Sequence, residues 1–322
     1  MYEKKLNIAL IGCGRIAGHH LRAVKKIKNL KIVAVCDKKI KKARFYGKKY
    51  NIPFFSNYNL MLKKITSINI VAIMTPSGMH YEHTIDIIKR YKKNIIVEKP
   101  TFMKPSHVKN AFKIAKKNKV KIFPVFQNRY NKAVKRVKKA IIKNELGKIR
   151  IVNVRVRWCR PDRYYKLSKW RGTYSQDGGA LTNQGIHHLD LLRYLAGDVK
   201  KVNAQMKTFG VSVEIEDTLI ANIEFESGAL GVIEITTAAR PDDFESSISV
   251  LGDKGIAIVG GWATNDLITF SPDPKQEKLN SEVFPDVYGF GHKNIYIGAH
   301  ETIVNKGVPA VEFDDASKTI QL

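Results

Sequence analysis

Short apolar runs alternating with helix-period stretches dominate the first 125 residues. Leu6 to Gly12 is apolar and ends in Gly-Cys-Gly. A 3.6-residue period follows through Ile16, Leu21, Val24 and Ile27, and a second apolar run, Lys31 to Cys36, ends at Asp37. Unbroken apolar runs of this length describe strands covered on both faces, and the periodic stretches between them are the helices that cover them. The alternation continues with a helix over Lys38 to Tyr50, the pair Phe54-Phe55, a short helix around Leu60 and a strand over Ile68 to Met74 that ends in Thr75-Pro76. A helix over 80–91, a strand over Asn94 to Val97, a helix over 105–118 and a strand over Val120 to Val125 complete the series. About six strands joined by helices predict a doubly wound parallel sheet, a Rossmann domain over residues 1–126.

The pattern changes after Gln127. A helix is predicted from about Lys132 to Asn144, then a long strand with clean alternation at Ile149, Ile151, Val152, Val154, Val156 and Trp158. A further helix starts at Leu181 and runs through Leu189, Leu191, Leu192, Tyr194 and Leu195 to Gly197. Strands then prevail over 200–209, 216–226, 229–239, 244–251, 256–260 and 266–270, with glycine turns at Ser227-Gly228 and Gly252-Asp253-Lys254-Gly255, before a last helix from Asn294 to Asn305. Neighbouring strands joined by tight turns pair antiparallel. The fold class is therefore α/β, a Rossmann domain plus a C-terminal α/β domain over 127–322 with an open, predominantly antiparallel sheet that serves substrate binding and oligomerisation.

Composition narrows the function classes. The three cysteines, Cys13, Cys36 and Cys159, lack the spacing of a zinc site or redox pair and read as reduced intracellular thiols. No secretory leader or membrane-length apolar run is present, so a soluble cytoplasmic protein is expected, without a membrane partner. The net charge of +27 is uneven: residues 1–170 carry 44 Lys and Arg against 7 Asp and Glu, or +37, and residues 171–322 carry 12 against 22, or −10. The excess is mostly lysine pairs such as Lys25-Lys26, Lys48-Lys49 and Lys116-Lys117 on polar helix faces. No aromatic residues interleave with them as in base-stacking surfaces, so no nucleic-acid partner is expected.

Two stretches carry chemistry. Gly12-Cys13-Gly14-Arg15-Ile16-Ala17 has the G-x-G-x-x-A form between a strand and a helix, with Asp37 closing the next strand. Glycines there allow the turn and the close approach of pyrophosphate, the helix N-terminus supplies N–H donors, and an acid at that position accepts ribose hydroxyls and disfavours a 2′-phosphate. NAD is the expected cofactor, while Arg15 and Lys38 argue the other way, since either cation could tolerate a 2′-phosphate. The second stretch, Gly178 to Asp190, holds Asn183, His187, His188 and Asp190. On a helix Asn183 and His187 share a face and Asp190 stands one turn on, where it can hold an imidazole. Adjacent histidines diverge by about 100° and no His-Glu-x-x-His spacing exists, so no metal is expected. Lys99 follows an apolar strand at the carboxyl end of the parallel sheet, where partial burial favours donation to a developing alkoxide.

On these residues the chain resembles the Gfo/Idh/MocA oxidoreductases over essentially its whole length. The segments that carry the resemblance are Gly12 to Ala17, Thr75-Pro76-Ser77-Gly78-Met79-His80, Glu98-Lys99-Pro100, Gln127-Asn128-Arg129-Tyr130 and Gly178-Gly179 through His187 to Asp190. It implies Lys99 and His187 as catalytic groups flanking the nicotinamide and the reacting carbinol. It also implies cofactor contacts at Gly12, Gly14, Arg15, Ile16, Asp37, Thr75, Pro76, His80, Glu98, Lys99 and Gln127. Asn183 stands where the family usually has aspartate. A narrower resemblance joins Trp158 to Tyr165, Trp170 to Tyr174, Asn183 to His188 and Glu214 to Thr218 to the bacterial UDP-N-acetyl-2-amino-2-deoxyglucuronate 3-dehydrogenases. That branch implies oxidation of the C3 hydroxyl of a nucleotide sugar for surface-polysaccharide synthesis. Its substrate contacts would be Lys99, Arg160, Tyr164, Tyr165, Arg171, Asn183, His187, His188 and Arg240, since arginine forks suit pyrophosphate and carboxylate and aromatic rings cover sugar and uracil. A free cyclitol or aldose substrate and a non-catalytic NAD sensor are the alternatives. A homodimer or homotetramer through the C-terminal sheet is expected.

Overall fold

In the computed structural model, which describes residues 4–308 and 311–322, the first apolar run is strand β1 (Leu6–Ile11), with five of its six residues buried. It leads through α1 (Ala17–Lys25), β2 (Leu30–Cys36), α2 (Ile40–Tyr50), β3 (Phe54–Phe55) and α3 (Tyr58–Lys64) to the far side of β1. There follow β4 (Ile70–Ile73), α4 (His80–Tyr91), β5 (Asn94–Val97), α5 (Pro105–Lys117) and β6 (Ile122–Pro124). The sheet order is β3-β2-β1-β4-β5-β6 with every neighbour parallel. All four residues of β4 are buried because helices cover both faces, and the helices oblige with one apolar stripe each, such as Val108, Ala111 and Ala115 on α5. Strand order reverses between β1 and β4, and the carboxyl ends flanking such a switch point are where ligands bind in doubly wound sheets. Gly12 and Thr75 stand at those two ends.

The second unit, Phe126–Gly291 with Leu322, opens with α6 (Lys132–Ile142), β7 (Ile149–Arg157) and the short α7 (Asp162–Tyr165). A π-helical turn (Ala180–Gly185) then runs into α8 (Ile186–Ala196). Six strands follow: β8 (Val199–Lys207), β9 (Thr218–Phe225), β10 (Leu230–Thr236), β11 (Glu245–Gly252), β12 (Ile256–Gly260) and β13 (Asp266–Phe270), and then α9 (Lys275–Asn280). The order β13-β12-β11-β7-β10-β9-β8 is antiparallel except at β7 and β10, which run parallel because β7 arrives early in the chain and inserts between later strands.

One face of this sheet is core. Val152, Val154 and Val156 of β7, Ile233 and Ile235 of β10 and Ile248 and Val250 of β11 are buried with Leu189, Leu192 and Leu195 of α8. The opposite face is open: Ile151, Leu230 and Leu251 sit side by side in register, and Val232 and Ile220 add to the exposed apolar row. Arg157 grips Glu234 through two hydrogen bonds of 2.5 and 2.9 Å on the same face.

The helices α10 (Gly291–Val304) and α11 (Phe313–Gln321) follow, and residues His292–Gln321 belong to the first unit. The expected division places 127–322 together; the structure returns this segment to the Rossmann unit. The cause is side-chain complementarity that chain order does not carry: Phe313 stacks on Phe112 of α5 at 6.2 Å, and Tyr296, fully buried, pairs its hydroxyl with His20 Nδ1 at 2.8 Å.

Candidate active site

The loop after β1 is shaped by one steric fact. Gly12 adopts φ +98°, and a Cβ there would meet the Met74 carbonyl oxygen at 2.4 Å, so only glycine lets β1 and β4 end this close together. Gly14 has no atom within 4 Å of where its Cβ would stand, leaving bare backbone at the entrance to α1, whose first turn holds no acidic residue. Asp37 accepts from the Cys13 N–H and the Lys39 N–H, both at 2.8 Å, which fixes its carboxylate beside the loop. A cavity of about 400 Å³ is lined by Cys13, Gly14, Arg15, Lys41, Lys42, Phe45 and Tyr46. Open backbone, a fixed acid and a cationic, aromatic-walled cavity are a donor set that fits an adenine dinucleotide. The last four lining residues lie in α2, outside the fingerprint, and the motif gave no sign of them.

Two expected cofactor contacts are turned inward. His80 is 1% exposed, and its ring bridges the Thr75 carbonyl at 2.9 Å and the Pro100 carbonyl at 2.8 Å. It braces the loops after β4 and β5 rather than presenting a surface to a ligand. Glu98 is 7% exposed; Oε1 meets His20 Nε2 at 2.9 Å and His292 Nε2 at 3.3 Å, and Oε2 accepts the Lys99 N–H at 3.1 Å. Burial alone would raise the Glu98 carboxyl, but the bonds from both histidines overcome it and hold the group well below the usual carboxylate range. Lys99, half-buried, thus hangs from a backbone fixed by a buried acid.

In the second unit the π-helical turn carries the candidate chemistry. Gly179, at φ +103°, precedes it, and a Cβ there would overlap the Glu216 carboxylate at 1.9 Å. That carboxylate accepts the Leu181 N–H at 3.1 Å, while the Glu216 carbonyl takes the Ala180 N–H at 3.0 Å. The turn is therefore anchored at the one end where helical N–H groups lack partners. Widening by a π-turn also changes the spacing on which the shared face of Asn183 and His187 was predicted, because an α-helical count no longer applies across 180–185.

The histidines part company. His187 Nε2 lies 3.3 Å from the side-chain amide of Gln127. The His188 ring points into the sheet: it is 1% exposed, reaches Ser246 Oγ at 2.7 Å, and burial pushes its pKa down to about 4. A substrate contact by His188 is corrected on that ground. Asp190, expected to orient an imidazole, instead takes both arms of Arg129 at 2.7 and 2.5 Å. Gln127, expected against the cofactor, is 4% exposed and places its amide on His187.

Around Asn183 the remaining candidates form one network. Asn183 Nδ2 donates to Asp177, and Gln184 Nε2 donates to the Tyr164 hydroxyl at 2.8 Å, which also meets Arg171. Arg160 reaches Gln184 Oε1 at 3.3 Å and Asp243 at 2.7 Å. Tyr165 packs edge-on against the Tyr164 ring, centroids 5.2 Å apart, and pairs its hydroxyl with Thr237 Oγ1 at 3.3 Å. Arg240 is pinned to backbone carbonyls of Ala239 and Gly210 at 2.8 and 3.2 Å, at the rim of a cavity of about 420 Å³ with Asp242, Asp243 and Phe244. Asp177 and Asp243 lie outside the motif segments, and Asp243 is revealed only by its pairing with Arg160, distant in sequence.

The family model described as the oxidoreductase family with an NAD-binding Rossmann fold matches residues 6–126, and the GFO/IDH/MocA C-terminal domain matches 134–258. D-glucoside 3-dehydrogenase of Escherichia coli is 28% identical over 79% of this chain and 77% of its own. Myo-inositol 2-dehydrogenase of Thermotoga maritima is 27% identical over 78% and 74%. Among solved structures, the WlbA dehydrogenase of Bordetella pertussis, crystallised with NADH and UDP-GlcNAcA, superposes with a TM-score of 0.92 at 30% identity, over 99% of this chain and 94% of that one. The WlbA dehydrogenase of Chromobacterium violaceum, with the same two ligands, gives 0.89 at 33%, over 99% and 92%.

Proposed function

The chain belongs to the GFO/IDH/MocA oxidoreductases and is an NAD-dependent sugar dehydrogenase, and from that premise we propose that it oxidises the C3 hydroxyl of a nucleotide sugar, UDP-N-acetyl-2-amino-2-deoxyglucuronate, in surface-polysaccharide synthesis. The observation that carries the reading is the linked set Arg160, Gln184, Tyr164 and Arg171, two guanidinium groups and a phenol joined through one amide beside the turn that bears Asn183. A free sugar gives two arginines little to bind, whereas a pyrophosphate or uronate carboxylate suits their planar forks. Likeness to two dehydrogenases crystallised with UDP-GlcNAcA supports the same substrate.

When bound, NAD supplies the hydride acceptor; the Gly12–Ile16 loop and Asp37 would hold it. In its neutral form His187 would take the hydroxyl proton, and Lys99 would donate to the oxygen as negative charge grows there. Oxidation of the secondary alcohol thus yields a ketone, one hydride passed on and one proton held by the protein. The second reading, a dehydrogenase of a free cyclitol or aldose, draws on the glucoside and inositol enzymes among its relatives. Initial rates of NADH formation with UDP-GlcNAcA, methyl glucoside and myo-inositol separate the two. A preference of at least tenfold in kcat/KM for the nucleotide sugar is expected, about what one charged hydrogen bond to substrate contributes. NADH formed only from the free sugars overturns the nucleotide-sugar reading, and no NADH from any of them favours a sensor. Lys99→Met and His187→Asn should each lower kcat by about 10² or more.

The open face with Ile151, Leu230 and Leu251 is the surface through which a dimer or tetramer would form. Light scattering of Leu230→Glu against wild type tests it, a monomeric wild type rejecting the assembly. Among the described residues no helix is long and apolar enough to cross a membrane.

A further inference from the structure

We propose that His20, Glu98 and His292 form a binding site for one divalent transition-metal ion of the zinc class, an ion that would clip the C-terminal segment onto the Rossmann unit. The three lie on different elements of the first unit: His20 on α1, Glu98 directly after β5 and His292 in the first turn of α10. Their ligand atoms nonetheless converge. His20 Nε2 stands 2.9 Å from Glu98 Oε1 and His292 Nε2 stands 3.3 Å from the same oxygen, and all three atoms lie within 4.8 Å of one another. Atoms held about 2.1 Å from a tetrahedral ion are about 3.4 Å apart, so side-chain shifts below about 1 Å would seat one here. The two rings approach from different directions, with planes 70° apart and centroids at 4.9 Å.

Charge favours an ion over hydrogen bonds alone. His20, Glu98 and His292 are 1%, 7% and 3% exposed, and among the described residues the ion-pair partners of Glu98 are these two rings, with no lysine or arginine. A buried carboxylate calls for a counter-cation or a metal, and a dication supplies one while both rings stay neutral. The outer contacts suit that arrangement. Tyr296, one turn after His292 and fully buried, meets His20 Nδ1 at 2.8 Å; its oxygen can accept the Nδ1 proton, which leaves the Nε2 lone pair for the ion. Glu98 Oε2 accepts the Lys99 N–H at 3.1 Å, which holds the carboxylate with Oε1 towards the rings. Two imidazoles and a carboxylate suit zinc, iron or cobalt better than magnesium or calcium, with a fourth position for water. Glu98 and His292 are 194 positions apart in the chain, and closing so long a loop is where a metal clip stabilises most.

The test uses the full chain, stripped with a chelator and exchanged into chelator-free buffer, with Zn²⁺ and Co²⁺ as the probes. Calorimetry should show one Zn²⁺ per chain with a Kd of about 1 µM or tighter. Bound Co²⁺ should give visible d–d bands without the sulfur-to-cobalt charge-transfer band that a cysteine ligand would add. Zn²⁺ at about a hundredfold its Kd should raise the thermal unfolding midpoint by about 5 °C or more. His20→Gln and His292→Gln should each weaken binding by at least about a hundredfold and abolish that rise, whereas Tyr296→Phe, which leaves all three ligand atoms in place, should weaken it about tenfold. No Zn²⁺ uptake by wild type below about 100 µM free metal, a cobalt spectrum carrying the sulfur band, or wild-type affinity in either histidine variant overturns the site. Wild-type affinity in Tyr296→Phe overturns the outer contact. Should a histidine variant fail to fold, the stoichiometry and the cobalt spectrum of wild type decide the question by themselves.

Discussion

Asp190→Ala should cost the second unit about 3–5 kcal/mol, a far larger loss than a surface ion pair would give. The two partners are 1% and 2% exposed at their side chains, and the Asp190 carboxylate receives Nε and Nη2 of Arg129 at 2.7 and 2.5 Å. Removing the acid leaves the guanidinium buried without that counter-charge, over the Tyr194 ring at 4.7 Å. Removing both charges is different: R129M/D190L replaces a desolvated pair by apolar volume and should recover to within about 1–2 kcal/mol of wild type. All three tryptophans, Trp158, Trp170 and Trp262, lie in the second unit, so urea unfolding followed by tryptophan fluorescence reads that unit directly. The same pair closes a short ring of contacts, from Gln127 to Arg129, across to Asp190 and back along α8 to His187, and D190A should therefore also lower kcat. A D190A loss below about 1 kcal/mol, or a double variant as unstable as the single one, would refute the reasoning.

Three further outcomes follow from other sites. His188 titrates near 4 in the fold and near 6.5 when unfolded; because the fold requires the neutral ring, its stability is full above pH 6.5 and falls as pH drops towards 4, by about 3 kcal/mol in all. His188→Gln should flatten that slope between pH 7 and pH 4.5 in urea titrations, and an unchanged slope counts against a buried neutral ring. Asp37→Ala removes the acceptor held by the Cys13 and Lys39 N–H groups and should raise KM for NAD about tenfold while improving the ratio for NADP, measured by initial rates with each cofactor. Gly179→Ala sets a methyl against the Glu216 carboxylate at φ +103° and should destabilise by about 1–3 kcal/mol, read by thermal unfolding; a neutral result would mean that the turn shifts freely.

Much of the first unit was legible because its signals are local. Gly12, Gly14, Ala17 and Asp37 lie within one strand-helix-strand passage, and their spacing and types state the turn, the bare backbone and the acid together. The six-stranded parallel sheet followed from the alternation alone. The second sheet was legible as open and mostly antiparallel, but not the parallel pairing of β7 with β10, since hairpin turns report only on neighbours in sequence and those strands are 70 or more residues apart. The same limit hid Asp243 beside Arg160 and the return of α11 to Phe112: each is a pairing across a distance that no periodicity encodes.

The histidine pair is a different case, because the signal was present in the helix itself. On α8 the positions His188, Leu191, Leu192 and Leu195 recur at intervals of three, four and seven, the stripe that an amphipathic helix turns to its core. His187 is out of phase with that stripe by about 100°. Helical phase therefore assigns His188 to the sheet, where Ser246 and the Trp158 ring receive it, and leaves His187 as the imidazole that meets the Gln127 amide. A reading that weighs both histidines as ligands overlooks what the leucines already decide. With His188 removed from the substrate contacts, the proton-accepting role proposed for this stretch falls to His187. The basicity of His187 then owes nothing to a carboxylate at position 183, and the pH dependence of kcat in Asn183→Asp, where that carboxylate is put back, should shift to higher pKa if the two side chains interact.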